Sequence, residues 1–261
     1  MTAAAAQTRP PDLCSTSSWT GAAVHYSITG DLRFLSHHDE LRMLTRALVR
    51  AGWPLWYSQG FNPQPRIVLP LPRSVGIASD CQWAMVRLTE APRVAELGRA
   101  LQTQMPRDCV LLAVYPLEAR LSPQPQAVFY SIGLQSAAAQ AIGPRIAALQ
   151  AEHDHLIERN YGPQRPSRSI DIRPFVQRVE LRGRTLELEL SFTEGRSARP
   201  EEILAALGLK TADLDGPIVR RAIHWNIEPP TAGGWSADAE REQVGCQEED
   251  CSQEEGQGDR R

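Results

Sequence analysis

Residues 22–52 read AAVHYSITGDLRFLSHHDELRMLTRALVRAG, and the first strand and the first helix of the chain can be predicted from this stretch. Residues 22–35 alternate between apolar and polar side chains and then become apolar, which predicts a β-strand with a break at the TGD tripeptide. Ser36 is a suitable helix N-cap with Asp39 three residues later, and leucines then recur at helical spacing until Gly52. The stretch therefore predicts a strand followed by an amphipathic helix.

The pattern of strands and helices continues outward from this stretch and then repeats. In the first half it predicts strands at 53–57, 67–71, 81–88 and 110–115, an ordered loop at 60–66 and a helix at 91–105. In the second half it predicts a strand at 128–134, helices at 137–152 and 200–207, an apolar segment at 169–176, a hairpin at 180–192 and a final strand at 218–227. The order β-α-β-β-α-β occurs twice, which predicts an α+β chain with a tandem ferredoxin-like architecture.

The charge distribution sets the predicted domain boundaries. We expect a disordered N-terminus at 1–20, one ferredoxin-like half at 21–121, another at 127–228, and a disordered acidic tail at 229–261. The two halves together hold 24 basic and 21 acidic residues, whereas the last 33 residues hold 3 and 9. The tail is rich in Glu, Gln, Gly and Ser, so it has too little apolar surface to offset the entropy of ordering.

Composition excludes several classes of protein. With 42% apolar and 23% charged residues, the chain is neither fibrous nor collagenous. No apolar run approaches the roughly 20 residues of a membrane-spanning helix, and the N-terminus does not resemble a secretory signal, so we expect a cytoplasmic protein without a membrane partner. The cysteines are scattered, which predicts no disulfide scaffold, no metal site and no cofactor; they are Cys14, Cys81, Cys109, Cys246 and Cys251.

The first predicted helix carries a stripe of arginines. Arg42, Arg46 and Arg50 are four residues apart, so they share a helix face away from the leucines. Asp39 is spaced to pair with Arg42, whereas the other two have no acidic residue at helical spacing. Arginine presents a planar fork that binds phosphate oxygens through two hydrogen bonds, so the stripe is a candidate phosphate-binding surface. A solvated helix face is the alternative.

Two histidines begin the same helix. His37 and His38 lie beside Asp39, and a histidine held by a carboxylate is suited to general acid or base catalysis. The helix N-terminus also attracts anions. His37 and Asp39 are therefore candidate catalytic residues, with helix capping or hydrogen bonding as the alternative.

The loop YSQGFNPQPR, residues 57–66, is the second candidate binding feature. Its prolines fix φ and its Gly60 permits left-handed backbone, so Phe61 would lie on a stiff turn. A rigid loop of this kind is suited to present an aromatic ring and Arg66 to an unstacked base, although it also suits a purely structural turn. The residues expected to shape the loop are Ser58, Gly60, Pro63 and Pro65.

The motifs resemble those of a known family. The segment GDLRFLSHHDELRMLTRALVRAGWPLWYSQGFNPQPRI, from Gly30 to Ile67, is similar to the signature of the radical SAM-linked DUF2344 proteins. The resemblance continues through LPRSVGIASD to Glu90, and Asp171-Ile172-Arg173-Pro174 resembles a later segment of that family. We therefore expect the family domain to span 21–228.

The resemblance implies partners rather than a reaction. Family members occur alone or fused behind a cobalamin-binding radical SAM enzyme, often beside RNA-processing genes, which implies an RNA-associated accessory partner. This chain has Gln64 where members often have His. The recurrent positions carried over are Arg33, Ser36, His37, Asp39, Ser58, Gly60, Phe61, Asn62, Pro63, Pro65, Asp171, Arg173 and Pro174.

Three functions follow as hypotheses. The first is an accessory partner that presents RNA to a radical SAM enzyme without doing the chemistry, because the chain lacks the three clustered cysteines that such an enzyme needs. The second is an RNA-processing or RNA-modifying enzyme, endoribonuclease-like or pseudouridine-synthase-like, that uses His37 or Asp171. The third is a protein–protein adaptor anchored by exposed tryptophans, and nothing indicates DNA as a ligand. The candidate adaptor anchors are Trp19, Trp53, Trp56 and Trp83, and the candidate RNA-binding residues are Arg33, Arg42, Arg46, Arg50, Phe61, Asn62, Arg66 and Arg173.

Overall fold

The structure is a computed structural model that describes residues 20–160 and 166–237. Over these residues the chain forms eleven strands and five α-helices, which confirms the α+β class. The first half contains β1 (Gly21–Ile28), α1 (His37–Arg50), β2 (Ile67–Val68), β3 (Ala78–Arg87), α2 (Val94–Gln102) and β4 (Cys109–Leu117). The second contains β5 (Pro125–Leu134), α3 (Ser136–Ala141), α4 (Gly143–Ala151), β6 (Leu156–Arg159), β7 (Arg168–Asp171), β8 (Val176–Arg182), β9 (Thr185–Ser191), α5 (Pro200–Ala206) and β10 (Leu214–Trp225), and β11 (Trp235–Ser236) follows the second half.

Nine of these strands form one mixed sheet. Its order is β11-β4-β1-β3-β10-β5-β9-β8, with β2 paired to β3, while β6 and β7 form a separate hairpin. Neighbours are antiparallel except at the seam between the halves, where β10 runs parallel to β3 and pairs Val219 with Ala78 and Arg220 with Ser79. In the first half β4 lies beside β1 and β1 beside β3, and in the second half β10 lies beside β5 and β5 beside β9.

The register of the sheet places the helices of both halves on the same face. Ile28 pairs with Ser79, Ser79 with Arg220, and Arg220 with Tyr130, so these four side chains lie on one side of the sheet. Ile28 belongs to the core beneath α1 and α2, and Tyr130 packs against the core beneath α3, α4 and α5. The two halves therefore share one sheet, and the helices of both cover the same face of it.

Local departures from the predicted elements have physical causes. The predicted strand at 53–57 forms only isolated bridges, from Leu55 to Leu88 and from Tyr57 to Pro65. The predicted helix at 137–152 divides into α3 and α4, since Pro144 lacks the N–H that a continuous helix would use. The hairpin of β6 and β7 is polar in sequence and was not predicted.

The predicted disordered tail begins too early. Trp235 is only 6% exposed and pairs with Val114 at the edge of the sheet, and Ala237 is also buried. The indole lies directly on α2, where a Cβ added to Gly98 would come within 2.4 Å of the ring. The apolar surface of these two residues stabilises a segment whose average composition suggests disorder. The remaining tail from 238 and the N-terminus to 19 lie outside the described residues.

Within the described residues, no helix is both long and apolar enough to cross a membrane.

Candidate functional site

Helix α1 begins as the capping pattern predicts. The Oγ of Ser36 accepts a hydrogen bond from the backbone N–H of Asp39 at 3.2 Å and donates one to the Asp39 carboxylate at 2.7 Å. The hydroxyl of Ser36 holds the pKa of Asp39 below its ordinary value, and the guanidinium of Arg42, 3.2 Å away, lowers it further. The N-cap prediction is confirmed, and Asp39 is occupied by its neighbours on the helix.

The three arginines of the stripe have different environments. Arg42 forms the ion pair with Asp39, and Arg50 donates to the side-chain and backbone oxygens of Gln104 at 3.0 and 2.9 Å. Arg46 forms no hydrogen bond or ion pair within 20–160 or 166–237. The stripe therefore offers one free guanidinium, one in a solvent-exposed pair, and one that is tied to the start of the connection to β4.

The loop at 57–66 is a rigid turn with an exposed aromatic tip. The backbone N–H of Ser58 donates to the Gln64 carbonyl at 2.8 Å, and the N–H of Gln64 donates back to the Ser58 hydroxyl at 3.0 Å. Gly60 has a φ of 137°, and Asn62 accepts a hydrogen bond from the Gln64 side chain at 3.1 Å. Phe61 at the tip is fully exposed. These bonds stay within the loop, and the Phe61 ring is left outside the core in contact with solvent.

Two grooves flank α1, and Arg42 and Arg46 form the wall between them. The first groove, of about 380 Å³, lies between α1 and the loop, which contributes Gln64 and Pro65. The second, of about 540 Å³, extends from α1 to Gln104 and also reaches Arg50. We call the groove-lining residues of α1 together with the whole loop at 57–66 the α1 surface. The structure therefore brings the arginine stripe and the loop into one site, as neither motif alone predicts.

The two histidines have separate surroundings. His38 is exposed and lines the groove between α1 and the loop. His37 is half-buried, its Nδ1 is buried without a hydrogen-bond partner, and its ring centre lies 5.5 Å from that of His38. Asp39 bonds to Ser36 and Arg42 instead of either imidazole. The carboxylate-held histidine of the enzyme hypothesis does not form.

The other candidate arginines of the first half lie away from the stripe. Arg33 donates to the Gly30 carbonyl at 2.6 Å, stacks on Phe34 with its guanidinium carbon 4.2 Å from the ring centre, and lines a groove between the halves. Arg66 is exposed at the base of the loop, and its side chain has no partner in the part of the chain that the structure describes. Of these two, only Arg66 lies on an element of the α1 surface.

The Asp171–Pro174 segment has a structural role in the second half. Asp171 accepts hydrogen bonds from the backbone N–H groups of His155 and Arg173, at 2.8 and 3.0 Å. Arg173 donates from three nitrogens to the carbonyls of Glu152, Gln150 and Val176, each within 3.1 Å. These bonds hold the C-terminus of α4 against β8. Neither residue lines a groove of the α1 surface.

A buried polar cluster supports α1 from beneath, and the sequence analysis missed it. Glu40 is 1% exposed and lies 3.3 Å from the Arg73 guanidinium, while Tyr26 and Gln82 donate to its other oxygen at 2.8 and 2.7 Å. Burial, with Glu40 nearby, raises the pKa of Tyr26 well above its usual value, so the phenol stays protonated and donates. Arg73 also donates to the carbonyls of Leu32, Arg33, Leu35 and Ile77.

The signal for this cluster was present in the periodicity of the helix. Glu40 is four residues before Leu44 and eight before Leu48, so it falls on the buried stripe of α1. A charged residue on that stripe needs a buried partner. No pattern in the sequence identifies Arg73 as the partner, because it lies 33 residues away in a segment without regular structure. The cluster fixes the 30–36 segment that leads into α1.

Other candidate residues are distributed as follows. Within the described ranges, no group of three His, Cys, Asp or Glu side chains is placed to hold a metal ion. Cys81 and Cys109 are free and buried, and the other three cysteines lie outside those ranges. Trp53 is 5% exposed and donates to the Leu97 carbonyl at 3.1 Å, so it is a core residue instead of an adaptor anchor.

Comparison with known proteins places the chain in a family. A search of curated proteins returned no match. The model of the DUF2344 family, described as an uncharacterized protein conserved in bacteria, matches residues 22–200. The match includes α1, the loop and the Asp171–Pro174 segment, the same features that carried the resemblance in the sequence. The chain therefore belongs to the DUF2344 family.

Proposed function

We propose that this protein is an RNA-associated accessory partner of a radical SAM enzyme and that it holds single-stranded RNA on the α1 surface. One observation carries the proposal: Arg42 and Arg46 form the wall between two grooves, and one of those grooves is bounded by Gln64 and Pro65 of the loop that exposes Phe61. Phosphates would bind the arginines and an unstacked base would stack on the phenylalanine.

The distribution of free donors supports this assignment. Arg46 and Arg66 have guanidinium groups without partners among the described residues, and Arg42 has only a solvent-exposed pair. A surface ion pair contributes little, so a phosphate can replace Asp39 at Arg42 at small cost. The surface therefore offers three cations to a backbone and one aromatic ring to a base.

The arrangement of strands supports a further part of the proposal, that each half is a ferredoxin-like unit. In the first half the order is β4-β1-β3-β2, and in the second it is β10-β5-β9-β8. Both correspond to fourth, first, third and second strand, the neighbours are antiparallel, and helices lie in both crossover connections. This is the order expected when a split β-α-β fold occurs twice. The β6–β7 hairpin is an insertion in the second unit.

The role of the radical enzyme rests on the family resemblance. In this proposal the partner enzyme holds the cluster and performs the chemistry, and the present chain binds and orients the RNA. The α1 surface lies on the first half, so the second half stays free to contact the enzyme.

A binding experiment on matched variants tests the RNA assignment. Fluorescence anisotropy with a labelled single-stranded RNA of about twelve nucleotides would measure affinity at two salt concentrations. Arg46→Ala and Phe61→Ala should each weaken binding at least about fivefold, since a phosphate contact or a base stack is worth about 1 to 3 kcal/mol. Arg120→Ala removes an exposed arginine that lines neither groove and should leave affinity unchanged.

Two results would overturn the assignment. The wild-type protein could fail to bind the RNA at low salt, or the two α1-surface variants could bind as tightly as the Arg120 control. Co-purification with the radical SAM enzyme tests the partner separately. Capture of the enzyme by the wild type and by Arg46→Ala alike would support a docking surface away from α1, whereas failure of the wild type to capture it would overturn the partnership.

A further inference from the structure

A third groove lies between the halves and is lined by residues of both. The groove has a volume of about 570 Å³ and is bounded by the Arg33–Phe34 turn, the Val75–Ile77 segment, α5 and the start of β10. Its volume falls within the range of about 300 to 1,000 Å³ that is typical of small-molecule sites. None of its lining residues belongs to the α1 surface.

The walls of the groove are mostly apolar. Buried side chains of Ile77, Leu204, Leu209 and Ile218 form its floor. Phe34 at the rim is 54% exposed and Val75 is 58% exposed, so the groove presents two apolar side chains to solvent. A ligand with an apolar body would cover both side chains and gain the free energy of removing them from water.

The charged residues of the groove favour an anion. Lys210 lines it, and its ammonium group forms no ion pair within the described ranges. Arg33 presents a flat guanidinium stacked on the Phe34 ring, with Asp31 3.9 Å away as its acidic neighbour. Among the lining residues, Glu201 is the acidic side chain and Arg33 and Lys210 are the basic ones. Of the 28 basic residues of the chain, Lys210 is the lysine and the others are arginines.

We propose that this groove binds a small molecule with a planar apolar body and one anionic group. The body would lie against Phe34 and Val75, and the anion would bind the ammonium of Lys210 and the guanidinium of Arg33. A planar body fits because the Arg33–Phe34 stack presents a flat wall, and a single anionic group fits because Glu201 limits the positive charge. Aromatic carboxylates and nucleoside monophosphates share a planar aromatic ring system and one anionic group.

A fluorescent probe of the same chemistry tests the site. The full-length protein would be titrated with 8-anilinonaphthalene-1-sulfonate, which has planar rings and one sulfonate. The wild type should bind one equivalent. Lys210→Glu should weaken binding at least tenfold, and Val75→Trp, which fills the groove from an exposed rim position, should abolish it. Arg120→Ala is the control and should bind as the wild type does.

Competition then distinguishes the two sources of the ligand. Indole-3-carboxylate and adenosine 5′-monophosphate would each be tested for displacement of the probe, beside uncharged indole and adenosine. Displacement by either anion, with its uncharged counterpart at least tenfold weaker, supports the site and identifies the source. Equal displacement by the uncharged molecules, or probe binding that Lys210→Glu and Val75→Trp leave unchanged, would overturn it.

The outcome is independent of the RNA assignment. Arg46→Ala should leave probe binding unchanged, because Arg46 does not line this groove. Lys210→Glu should leave affinity for the RNA oligonucleotide unchanged. A change in RNA affinity for Lys210→Glu equal to its change in probe binding would overturn the proposal of a separate small-molecule site.

Discussion

Arg173 in the second half and Arg46 on α1 belong to motifs that look equally suited to bind an anion in the sequence. In the structure, Arg173 donates to three backbone carbonyls around the end of α4, whereas Arg46 has no partner in the described part of the chain and forms the wall between two grooves. The difference comes from the carbonyls nearby. A guanidinium beside the unpaired carbonyls at a helix end donates its hydrogen bonds to them; we call such an arginine a carbonyl-bound arginine. In the middle of a helix the carbonyls are already hydrogen-bonded, so a guanidinium there stays free to bind an anion.

Arg73 is the buried example of a carbonyl-bound arginine, and it also pairs with Glu40. Removing the Glu40 carboxylate should have the largest effect on stability. Glu40→Ala leaves the Arg73 charge buried without a carboxylate, so we expect a loss of about 3 to 5 kcal/mol in the free energy of unfolding. Urea denaturation measures this loss. The matched control is Glu96→Ala, whose pair with Arg93 at 3.5 Å is exposed and should contribute less than about 1 kcal/mol. Equal losses in the two variants would contradict the buried-pair interpretation.

Arg173→Ala tests directly whether a carbonyl-bound arginine contributes to stability and not to RNA binding. It removes three hydrogen bonds from a charged group to carbonyls, so we expect a loss of about 2 kcal/mol in the free energy of unfolding with no change in RNA affinity. Arg46→Ala should behave in the opposite way and change stability by less than about 0.5 kcal/mol. Denaturation and anisotropy on both variants measure the two effects. Weaker RNA binding by folded Arg173→Ala would show that the segment belongs to the interface.

The sequence predicted the parts of this site that depend on local order. Ser36, Gly52 and the leucine spacing defined α1 and the direction of its arginines, because capping and helical periodicity are local. The partners of Arg50 and Arg173, Gln104 and the carbonyls of α4, depend on tertiary packing that no spacing encodes. Trp235 was assigned to a disordered tail for the same reason, since its site on Gly98 exists only when the sheet and α2 are assembled.

The groove between the halves shows the same limit at a larger scale. Its walls come from segments more than 120 residues apart, Arg33 and Val75 in one half and Lys210 in the other. The parallel pairing of β3 with β10 brings these segments together. The residue pattern within each of these strands does not show which distant strand it pairs with, so the sequence does not predict the pairing. Only the fold places these residues in one cavity.

The salt dependence of RNA binding should show which arginines contact phosphates and which, as carbonyl-bound arginines, do not. Each phosphate contact to single-stranded nucleic acid contributes about 0.7 to the slope of log affinity against log salt concentration. Arg46→Ala should therefore reduce the slope by about 0.7, and Arg173→Ala should leave it unchanged. Anisotropy titrations at four or five salt concentrations measure the slope. An unchanged slope for Arg46→Ala would mean that its guanidinium contacts no phosphate.

The smallest effect concerns Asp39. Its exposed ion pair makes Arg42 intermediate between a free arginine such as Arg46 and a fully hydrogen-bonded one such as Arg173. The pKa of Asp39 is lowered in the folded protein, mainly by the Ser36 hydroxyl, so its ionised form stabilises the fold. This contribution is present above the unfolded-state pKa of about 4 and is lost as the pH falls through the lower folded-state pKa. Asp39→Asn should therefore be less stable than the wild type at neutral pH, and the difference should shrink as the pH falls below about 4. Urea denaturation between pH 7 and pH 2.5 measures it. The Asp39→Asn variant also leaves Arg42 without its ion pair, and RNA affinity at pH 7 should rise about twofold, since an exposed pair contributes little. A difference in stability between the wild type and Asp39→Asn that stays constant over the whole pH range would contradict this prediction. It would show that the charge of Asp39 contributes nothing to the N-cap, and that Arg42 is as free to bind an anion as Arg46 in the wild type.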